Sequence, residues 1–353
     1  MRKLIIIADS DPRTTVVGGV GIYAKYLAEN LCKKFEVVFV GKNNGFPSRD
    51  TKYDVIISNK SEGQNNVAFY LSLLRTSKKI ITDKNSIIHS QRPDWVVPFK
   101  NHQGFKIFTL HGSHYKNMKV KKGIIMRLLY RFLEKKAFMI ADKIIAVDSE
   151  TKKEYSEKYP SFANKIVVVP LGIDTKTFKP NNKKNARKKL GISLNKDVFL
   201  YVGRFSKEKN IDLMIKSLQP GEKLLLIGKG DEEQKLRMLA KGKDVEFVKP
   251  LNHDKLVHYY NAADILLLFS DHEGLPTAVL ESMACGTPVV ATKVGELPNI
   301  IINGKNGYII SGHHRAMMSL ALRKSEDLKE ECIKTASKYD WKQISKKIEE
   351  TYK

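Results

Sequence analysis

The sequence is poor in cysteine and has no long apolar run. Its 353 residues include three cysteines, at spacings that fit neither a metal motif nor a disulfide framework: Cys32, Cys285 and Cys332. This usage excludes a disulfide-stapled scaffold and predicts a reducing, intracellular compartment. No segment approaches the roughly 20 apolar residues of a membrane span. The first apolar run, 4–8, meets Asp9 and Asp11 at once, so we expect a buried strand and no signal peptide.

Acidic residues are also scarce, since 62 Lys and Arg stand against 38 Asp and Glu, for a net charge of +24. Such an excess suits nucleic acid, an anionic membrane or an acidic substrate. The chain shows no nucleic-acid module, aromatic stacking platform or zinc spacing, so we expect no nucleic-acid partner. We expect a protein of the cytoplasm, either soluble or lying peripherally on the cytoplasmic membrane face.

One basic segment, 116–136, carries eight cations and a single acid, Glu134. Apolar residues alternate with these charges: Ile124, Ile125, Leu128, Leu129, Phe132 and Leu133. A basic amphipathic helix is typical of contact with an anionic membrane. The alternative is that the apolar stripe faces the domain core and the lysines are merely solvated.

The length suits two domains of about 150–180 residues each. Apolar strands alternate with helical stretches, which predicts an α/β fold of doubly wound parallel sheets. We expect strands at 3–9, 36–40, 55–58, 79–82, 105–110, 143–147, 165–169, 199–202, 223–227, 245–248, 265–269, 288–291 and 307–310. The stretch 176–196 reads as a linker followed by a helix. The expected domains are 1–175 and 176–335, followed by a terminal helix in 336–353.

The most informative stretch is 271–292, where seven residues separate Glu273 from Glu281. A helix is predicted to begin between the two glutamates and to include Glu281, and Gly286 stands where this helix would end. The turn that opens this helix is formed by Gly274, Leu275 and Pro276.

The start of this helix is a candidate anion site. The first N–H groups of a helix lack intrahelical acceptors, so a phosphate could bind the amides of Thr277 and Ala278. Glu281 would lie about one turn deeper, and Glu273 would stay in the preceding loop. Two acceptors on either side of an anion site suit a sugar nucleotide, which has hydroxyls at both ends and a diphosphate between them.

This spacing and its flanking residues resemble the Glu-x7-Glu signature of the GT-B retaining glycosyltransferases, in particular family 4, the glycosyl transferases group 1. The resemblance covers nearly the whole chain and is strongest in the C-terminal half. It implies two Rossmann-like domains facing a cleft, with the C-terminal helix crossing back to the N-terminal domain. It also implies that Glu273 contacts the donor sugar near its reacting end and that Glu281 contacts the ribose. For the spacing alone, the alternative is a plain helix with glutamates on a solvated face.

Two cations open the second domain. Gly203 and Arg204 follow a predicted strand, and Lys209 lies five residues further on. Arginine binds phosphate oxygens in a bidentate manner, and lysine adds a compact second charge. Surface cations on a very basic protein are the alternative, but the sequence resembles the family pattern of Gly-Arg followed by Lys-Asn. Gly228 begins a Gly-x-Gly turn that the family places near the nucleotide.

The first domain offers a glycine loop and a histidine. The loop contains Gly18 and Gly19 and opens a predicted helix, 22–31, although it is neither a dinucleotide fingerprint nor a P-loop. A simple tight turn is the alternative. His111 follows the strand 105–110, at the end of the sheet where ligands bind in open α/β folds. The resemblance places the loop near the donor phosphates and His111 near the donor sugar, whereas a lone histidine is often structural.

The expected chemistry is transfer of a hexose or N-acetylhexosamine from a UDP- or GDP-sugar to a glycan or lipid-linked acceptor. Arg204, Lys209 and the helix amides would stabilise the charge that builds on the leaving diphosphate. Asp9 and Asp11 form an Asp-x-Asp sequence, but its place directly after the first strand argues against a metal site. We therefore expect neither metal nor cofactor. The resemblance implies retention, in which the acceptor attacks from the leaving-group side and the departing phosphate acts as base.

Three other functions stay open at this point. A catalytically inactive sugar-nucleotide-binding subunit would share the donor motifs, and release of UDP or GDP from the donor without acceptor would distinguish an enzyme from it. A glycogen-type synthase is a related enzyme, although the long N-terminal insertions typical of such enzymes are missing. A nucleic-acid-binding protein would fit the charge alone. The last segment predicts a helix with Trp341, Ile344 and Ile348 on one face, and the family resemblance implies that this face is buried against the first domain.

Overall fold

The computed structural model describes residues 1–14, 19–43, 50–59, 66–112, 124–312 and 314–353. These residues form two compact units. The first unit comprises Met1–Leu171 and Trp341–Lys353, and the second comprises Gly172–Asp340. The sequence-based boundaries of 175 and 336 lie within a few residues of these divisions.

The first unit is built on a sheet in which every described strand pairing is parallel, with the order β3-β2-β1-β4-β5-β6-β7. The strands are β1 (Lys3–Ile7), β2 (Glu36–Lys42), β3 (Asp54–Asn59), β4 (Ile87–Ser90), β5 (Phe105–Leu110), β6 (Lys143–Ala146) and β7 (Ile166–Val168). The helices before residue 160 are α1 (Gly19–Leu31), α2 (Asn66–Ser77), α3 (Pro93–Val96), α4 (Ile124–Ile140) and α5 (Ser149–Lys158). Most buried strand residues are apolar because a parallel sheet is covered on both faces.

The predicted strand 79–82 is wrong, and the strand at this place is β4. Ile81 is 83% exposed, whereas all four residues of β4 are buried between β1 and β5. Two of these residues, His89 and Ser90, are polar and gave no strand signal. Side-chain hydrogen bonds satisfy them, which is what allows polar groups in a buried strand.

The second unit contains another parallel sheet, in the order β10-β9-β8-β11-β12-β13. Its strands are β8 (Asp197–Val202), β9 (Glu222–Ile227), β10 (Val245–Val248), β11 (Ile265–Leu268), β12 (Val289–Thr292) and β13 (Gly307–Ile310). Its helices are α6 (Lys183–Lys189), α7 (Ile211–Ser217), α8 (Glu233–Leu239), α9 (Leu256–Ala262), α10 (Thr277–Ala284), α11 (Leu297–Ile300) and α12 (His314–Ser337). The expected strands of this half are confirmed with shifts of one or two residues at their ends.

The last helix, α13 (Trp341–Glu350), belongs to the first unit. Its buried face consists of the expected Trp341, Ile344 and Ile348, together with Ser345. Trp341 contacts Tyr23 of α1 edge-on, with ring centroids 5.0 Å apart, and stacks on Tyr26 at 5.7 Å. The prediction that the terminal helix returns to the N-terminal domain is therefore confirmed.

Candidate active site

The helix predicted between the two glutamates is α10, which follows β11 and a loop at the carboxyl end of the second sheet. Pro276 occupies its N-cap position and provides no side-chain acceptor for the first N–H groups. Gly286 follows the helix with φ +80°, the left-handed conformation that ends helices. The amides of Thr277 and Ala278 lack acceptors within the helix, and these are the donors on which the sequence-based prediction of an anion site depends.

Glu273, in the loop before α10, is paired with Lys209. The Lys209 Nζ donates to Glu273 Oε1 at 2.6 Å, and both side chains are largely buried. The Ser270 hydroxyl donates to the same oxygen at 2.7 Å. Each of these donors uses Oε1, and no donor from the described part of the chain bonds to Oε2. The structure thus brings two predicted site residues, separated by 64 positions, into direct contact.

The Glu273 loop is held by a close backbone approach at Gly295. This glycine has φ +51°, and a Cβ built on it would lie 2.0 Å from the Glu273 carbonyl oxygen. The Glu296 amide also donates to the Gly274 carbonyl at 3.3 Å. A side chain at position 295 would therefore displace the loop that carries Glu273.

Glu281, on α10, is nearly buried, with 3% of its surface exposed. His253 Nε2 lies 2.8 Å from its Oε1, and the Tyr260 hydroxyl donates to its Oε2 at 2.8 Å. Burial opposes a charge on His253, but the hydrogen bond and charge of Glu281 outweigh it and raise the pKa of His253. Burial and the nearby Glu281 raise the pKa of Tyr260 well above its usual value. The Glu281 carboxylate is thus held at both of its oxygens.

Arg204 follows β8 and is 68% exposed, with its guanidinium 3.4 Å from Glu208 Oε1. The turn that carries it is fixed from below, because the buried Tyr201 hydroxyl donates to the Arg204 carbonyl at 2.9 Å. Gly203 and Gly228 allow two backbone segments to touch, since a Cβ on Gly228 would lie 1.9 Å from the Gly203 carbonyl oxygen. The two predicted glycines therefore have packing roles beneath an exposed cation.

His111 lies in the first unit, directly after β5. Its Nε2 is 2.9 Å from Gln91 Oε1, and its ring meets Tyr23 edge-on at 4.9 Å. Burial lowers the pKa of His111 to about 3, so the imidazole is neutral at physiological pH. Gly19 is the first residue of α1, and Gly18 lies outside the described residues.

A second histidine of the first unit, His89 on β4, is fully buried. Its Nε2 lies 2.8 Å from the Thr109 hydroxyl, and its Nδ1 lies 2.7 Å from the Tyr352 hydroxyl near the C-terminus. Burial, followed by the nearby His111, lowers the pKa of His89 to about 3. The C-terminal segment is thereby hydrogen-bonded to the centre of the first sheet.

Most of the apolar stripe of the basic segment faces solvent on α4, whereas Leu133 is half-buried and packs against the core of the unit. Ile125 is 82% exposed, and the other exposed apolar residues are Ile124, Leu128, Leu129, Phe132 and Met139. The face that packs on the unit consists of Tyr130, Glu134, Ala137 and Phe138. Glu134, the one acid of the segment, pairs with Lys158 and accepts from Tyr159 at 2.8 Å. The interpretation in which the stripe faces the core is therefore wrong for the exposed residues, whereas 116–123 lies outside the described residues.

The Asp-x-Asp sequence has another use in the structure. Asp11 is buried and accepts two hydrogen bonds from the Arg13 side chain, at 3.0 and 2.8 Å. In the ranges that the structure describes, no three His, Cys, Asp or Glu side chains come together as metal ligands.

None of the helices in the described ranges combines the length and apolar character that crossing a membrane requires.

Several contact residues escaped the sequence analysis. Ser270, His253 and Tyr260 bind the two glutamates, and Gln91 binds His111. Ser270 lies three residues before Glu273, so its position in the loop was a usable signal. His253 and Tyr260 are 28 and 21 positions from Glu281, and the packing of α9 and the turn before it beside α10 brings them there.

Solved structures identify the class of this fold. The sucrose-phosphate synthase of Thermosynechococcus elongatus superposes with a TM-score of 0.81 at 22% identity, covering 100% of this chain and 98% of that one. The Anabaena protein HepE, solved with UDP and glucose, gives a TM-score of 0.75 at 17% identity, covering 99% of both chains. The fold is that of the GT-B glycosyltransferases.

The sequence narrows this class to a family. Residues 182–348 match the model of the "Glycosyl transferases group 1", and residues 17–177 match that of "Glycosyltransferase Family 4". The chain belongs to glycosyltransferase family 4, the glycosyl transferases group 1.

Curated relatives include the D-inositol 3-phosphate glycosyltransferase of Acidothermus cellulolyticus, 30% identical over 67% of this chain and 55% of that protein. One from Catenulispora acidiphila is 28% identical over 57% of this chain and 53% of that protein. The chain thus spans about half the length of the curated relatives it matches.

Proposed function

We propose that this chain is a retaining, metal-independent hexosyltransferase that moves a hexose or N-acetylhexosamine from a UDP- or GDP-sugar to a glycan or lipid-linked acceptor. One observation carries the proposal. Glu273, paired with Lys209, and Glu281, held by His253 and Tyr260, lie on either side of the uncapped start of α10. An anion site between two acceptors fits the diphosphate of a sugar nucleotide, with hydroxyls on both sides.

The leaving diphosphate would be stabilised by three groups of the second unit. The Thr277 and Ala278 amides supply helix-terminal donors, and the exposed Arg204 can reorient toward phosphate oxygens. Lys209 is held in place by Glu273, so its charge is positioned before the donor arrives. Preorganised donors of this kind stabilise charge that develops in the transition state, each by about 10²–10³ in rate.

Glu273 would contact the sugar through Oε2, the oxygen that Lys209 and Ser270 leave available. The hydrogen bonds from Lys209 and Ser270 hold this carboxylate in one orientation. His111 would position the sugar as a neutral imidazole, because burial keeps its pKa near 3. An imidazole with a pKa near 3 is a poor base at pH 7, so the departing phosphate would be the base that takes the acceptor proton.

The acceptor side would include an anionic membrane surface bound by α4. Exposed apolar residues and exposed cations share this helix, among them Phe132, Arg131 and Lys135. Apolar side chains enter the headgroup boundary while the cations meet anionic lipid, which matches the net charge of +24. A peripheral contact of this kind would bring the first unit to a lipid-linked acceptor.

Donor hydrolysis tests the activity. We expect slow release of UDP or GDP from one series of UDP-, GDP- or ADP-sugars, without added metal and in the presence of EDTA. Arg204→Ala and Glu273→Gln should each reduce the rate by about 10²–10³. Lys235→Ala, which removes an exposed cation of the same unit, is the matched control and should leave the rate unchanged.

Two results would contradict the proposal. Nucleotide binding without turnover, with or without a panel of glycan and lipid acceptors, would indicate a non-catalytic binding subunit. Inversion of the anomeric centre, read from the product by proton NMR, would exclude retention.

Vesicle co-sedimentation tests the membrane contact. Phosphatidylglycerol vesicles should bind the protein more strongly than phosphatidylcholine vesicles, and 0.5 M salt should weaken the binding. Leu128→Ser with Phe132→Ser should abolish it, whereas Met238→Ser, at an exposed apolar residue of the second unit, should not. Equal binding of the double variant would contradict the role of α4.

A further inference from the structure

Both oxygens of the Glu281 carboxylate are held by a side-chain contact within the second unit. His253 Nε2 meets Oε1 and the Tyr260 hydroxyl meets Oε2, each at 2.8 Å, while 3% of the residue is exposed. A buried carboxylate is costly unless donors compensate the lost water. The two contacts also fix the rotation of the carboxylate plane, because each oxygen has its own donor.

The same geometry defines what the carboxylate can still bind. An ionised carboxylate has about four acceptor positions, two on each oxygen. Of the described residues, His253 and Tyr260 each occupy one position, on separate oxygens, which leaves one position on each oxygen. Two adjacent acceptors in one plane complement two neighbouring hydroxyl donors, which is the arrangement of a ribose 2′,3′-diol.

The two donors are held in turn by a shared aromatic residue. Phe178 is buried and contacts the His253 ring edge-on at 4.8 Å and the Tyr260 ring at 5.8 Å. Tyr260 is itself fully buried on α9, and its carbonyl accepts from the Thr287 hydroxyl at 2.7 Å. Tyr260 therefore cannot turn away without disturbing packed neighbours, and the His253 ring, which is 28% exposed, is supported on one side by Phe178.

Three acidic groups act on His253 and raise its pKa. Glu281 approaches from α10, Asp174 from the segment before Phe178, and Asp254 from the turn of His253 itself. These groups favour the imidazolium, which donates to Glu281 and balances its charge inside the unit. The positive ring also offsets the repulsion between Glu281 and a diphosphate bound at α10.

We infer that His253 and Tyr260 are positioning residues of the donor site, which hold the Glu281 carboxylate in the orientation that accepts the ribose diol of the nucleotide. This inference rests on the proposed function. It predicts that removing either donor changes the recognition of ribose hydroxyls, beyond any effect on folding.

The test compares the dissociation constants of UDP, 2′-deoxy-UDP and 3′-deoxy-UDP by calorimetry, with the guanosine series used if GDP is the nucleotide bound. The wild type should bind the full ribose at least tenfold more tightly than one of the deoxy forms, as expected for a hydrogen bond to a charged acceptor. Glu281→Gln, His253→Leu and Tyr260→Phe should each bring this ratio toward one. His253→Gln, which keeps an N–H donor near the position of Nε2, should retain most of it.

The outcomes separate the inference from the function on which it rests. If the wild type binds none of UDP, GDP and ADP, the proposed donor site is wrong and the inference falls with it. If the ratio collapses in Glu281→Gln but stays unchanged in both His253→Leu and Tyr260→Phe, the positioning role alone is wrong. Tyr260→Phe removes one oxygen atom and keeps the ring, so it provides a folded variant even if His253→Leu does not fold.

Discussion

Acidification should destabilise the first unit through His89. The ring is fully buried, and its burial lowers its pKa from an ordinary 6.5 to about 3. Between these two values the unfolded chain binds a proton that the folded chain excludes. The free energy of unfolding therefore falls as the pH drops below about 6.5.

The size of the effect follows from this difference. A pH of 5 lies about 1.5 units below the pKa of the unfolded imidazole, and each unit corresponds to about 1.4 kcal/mol. His89 alone should thus cost about 2 kcal/mol between pH 7 and pH 5. The variant His89→Gln does not titrate, so its free energy of unfolding should fall by about 2 kcal/mol less over the same interval.

The assay can isolate this unit. The chain has two tryptophans, Trp95 and Trp341, and both lie in the first unit. Urea unfolding followed by tryptophan fluorescence therefore reports the first unit separately from the second. With a slope of about 2 kcal/mol per molar urea, the difference amounts to about 1 M in the midpoint shift.

The matched control is Tyr352→Phe, which removes the hydroxyl that contacts His89 Nδ1 but leaves the histidine in place. It should lower stability at both pH values and retain the pH dependence of the wild type. Equal acid sensitivity of wild type and His89→Gln would refute the reasoning, because it would mean that His89 is protonated in the folded unit.

Three other predictions concern packing and charge. Gly295→Ala should weaken nucleotide binding because its Cβ would meet the Glu273 carbonyl. The control is Gly304→Ala, also at positive φ but with open space around the new Cβ. It should lower the free energy of thermal unfolding by about 1–2 kcal/mol without affecting binding. Equal binding by both would show that the Glu273 loop tolerates the displacement. Ile344→Ala should destabilise the first unit by about 2–5 kcal/mol in urea, whereas the exposed Lys346→Ala should change little; similar values would place α13 outside the core. His253 should stabilise the folded protein relative to His253→Gln, as measured by the difference in unfolding free energy in calorimetry. This difference should be complete below about pH 6.5 and should decline as the pH rises through the raised folded-state pKa of His253. A difference that stays constant up to pH 9 would mean that no imidazolium forms.

The sequence predicted well where one segment carries the whole signal. The start and end of α10, its uncapped amides and the face of α13 follow from local residue order. The basic segment was predicted as an amphipathic helix, but periodicity could not say whether its apolar stripe was buried. The tertiary contacts decide which face of α4 is buried. Glu134 lies on the buried face, where it contacts Lys158 and Tyr159.

By itself, the sequence determined the class of fold, the order of most strands and helices along the chain, and the two glutamates with their helix, because these depend on periodicity and on turn residues a few positions apart. The tertiary structure alone decided which side chains hold those glutamates. Lys209 reaches Glu273 across 64 positions, and His253 and Tyr260 reach Glu281 from a separate turn and helix. It also decided that the polar β4 lies at the centre of a sheet, since a buried histidine is stable there only when Thr109 and Tyr352 accept or donate its hydrogen bonds. Such contacts join residues that are far apart in the chain, and no local pattern of residues encodes them.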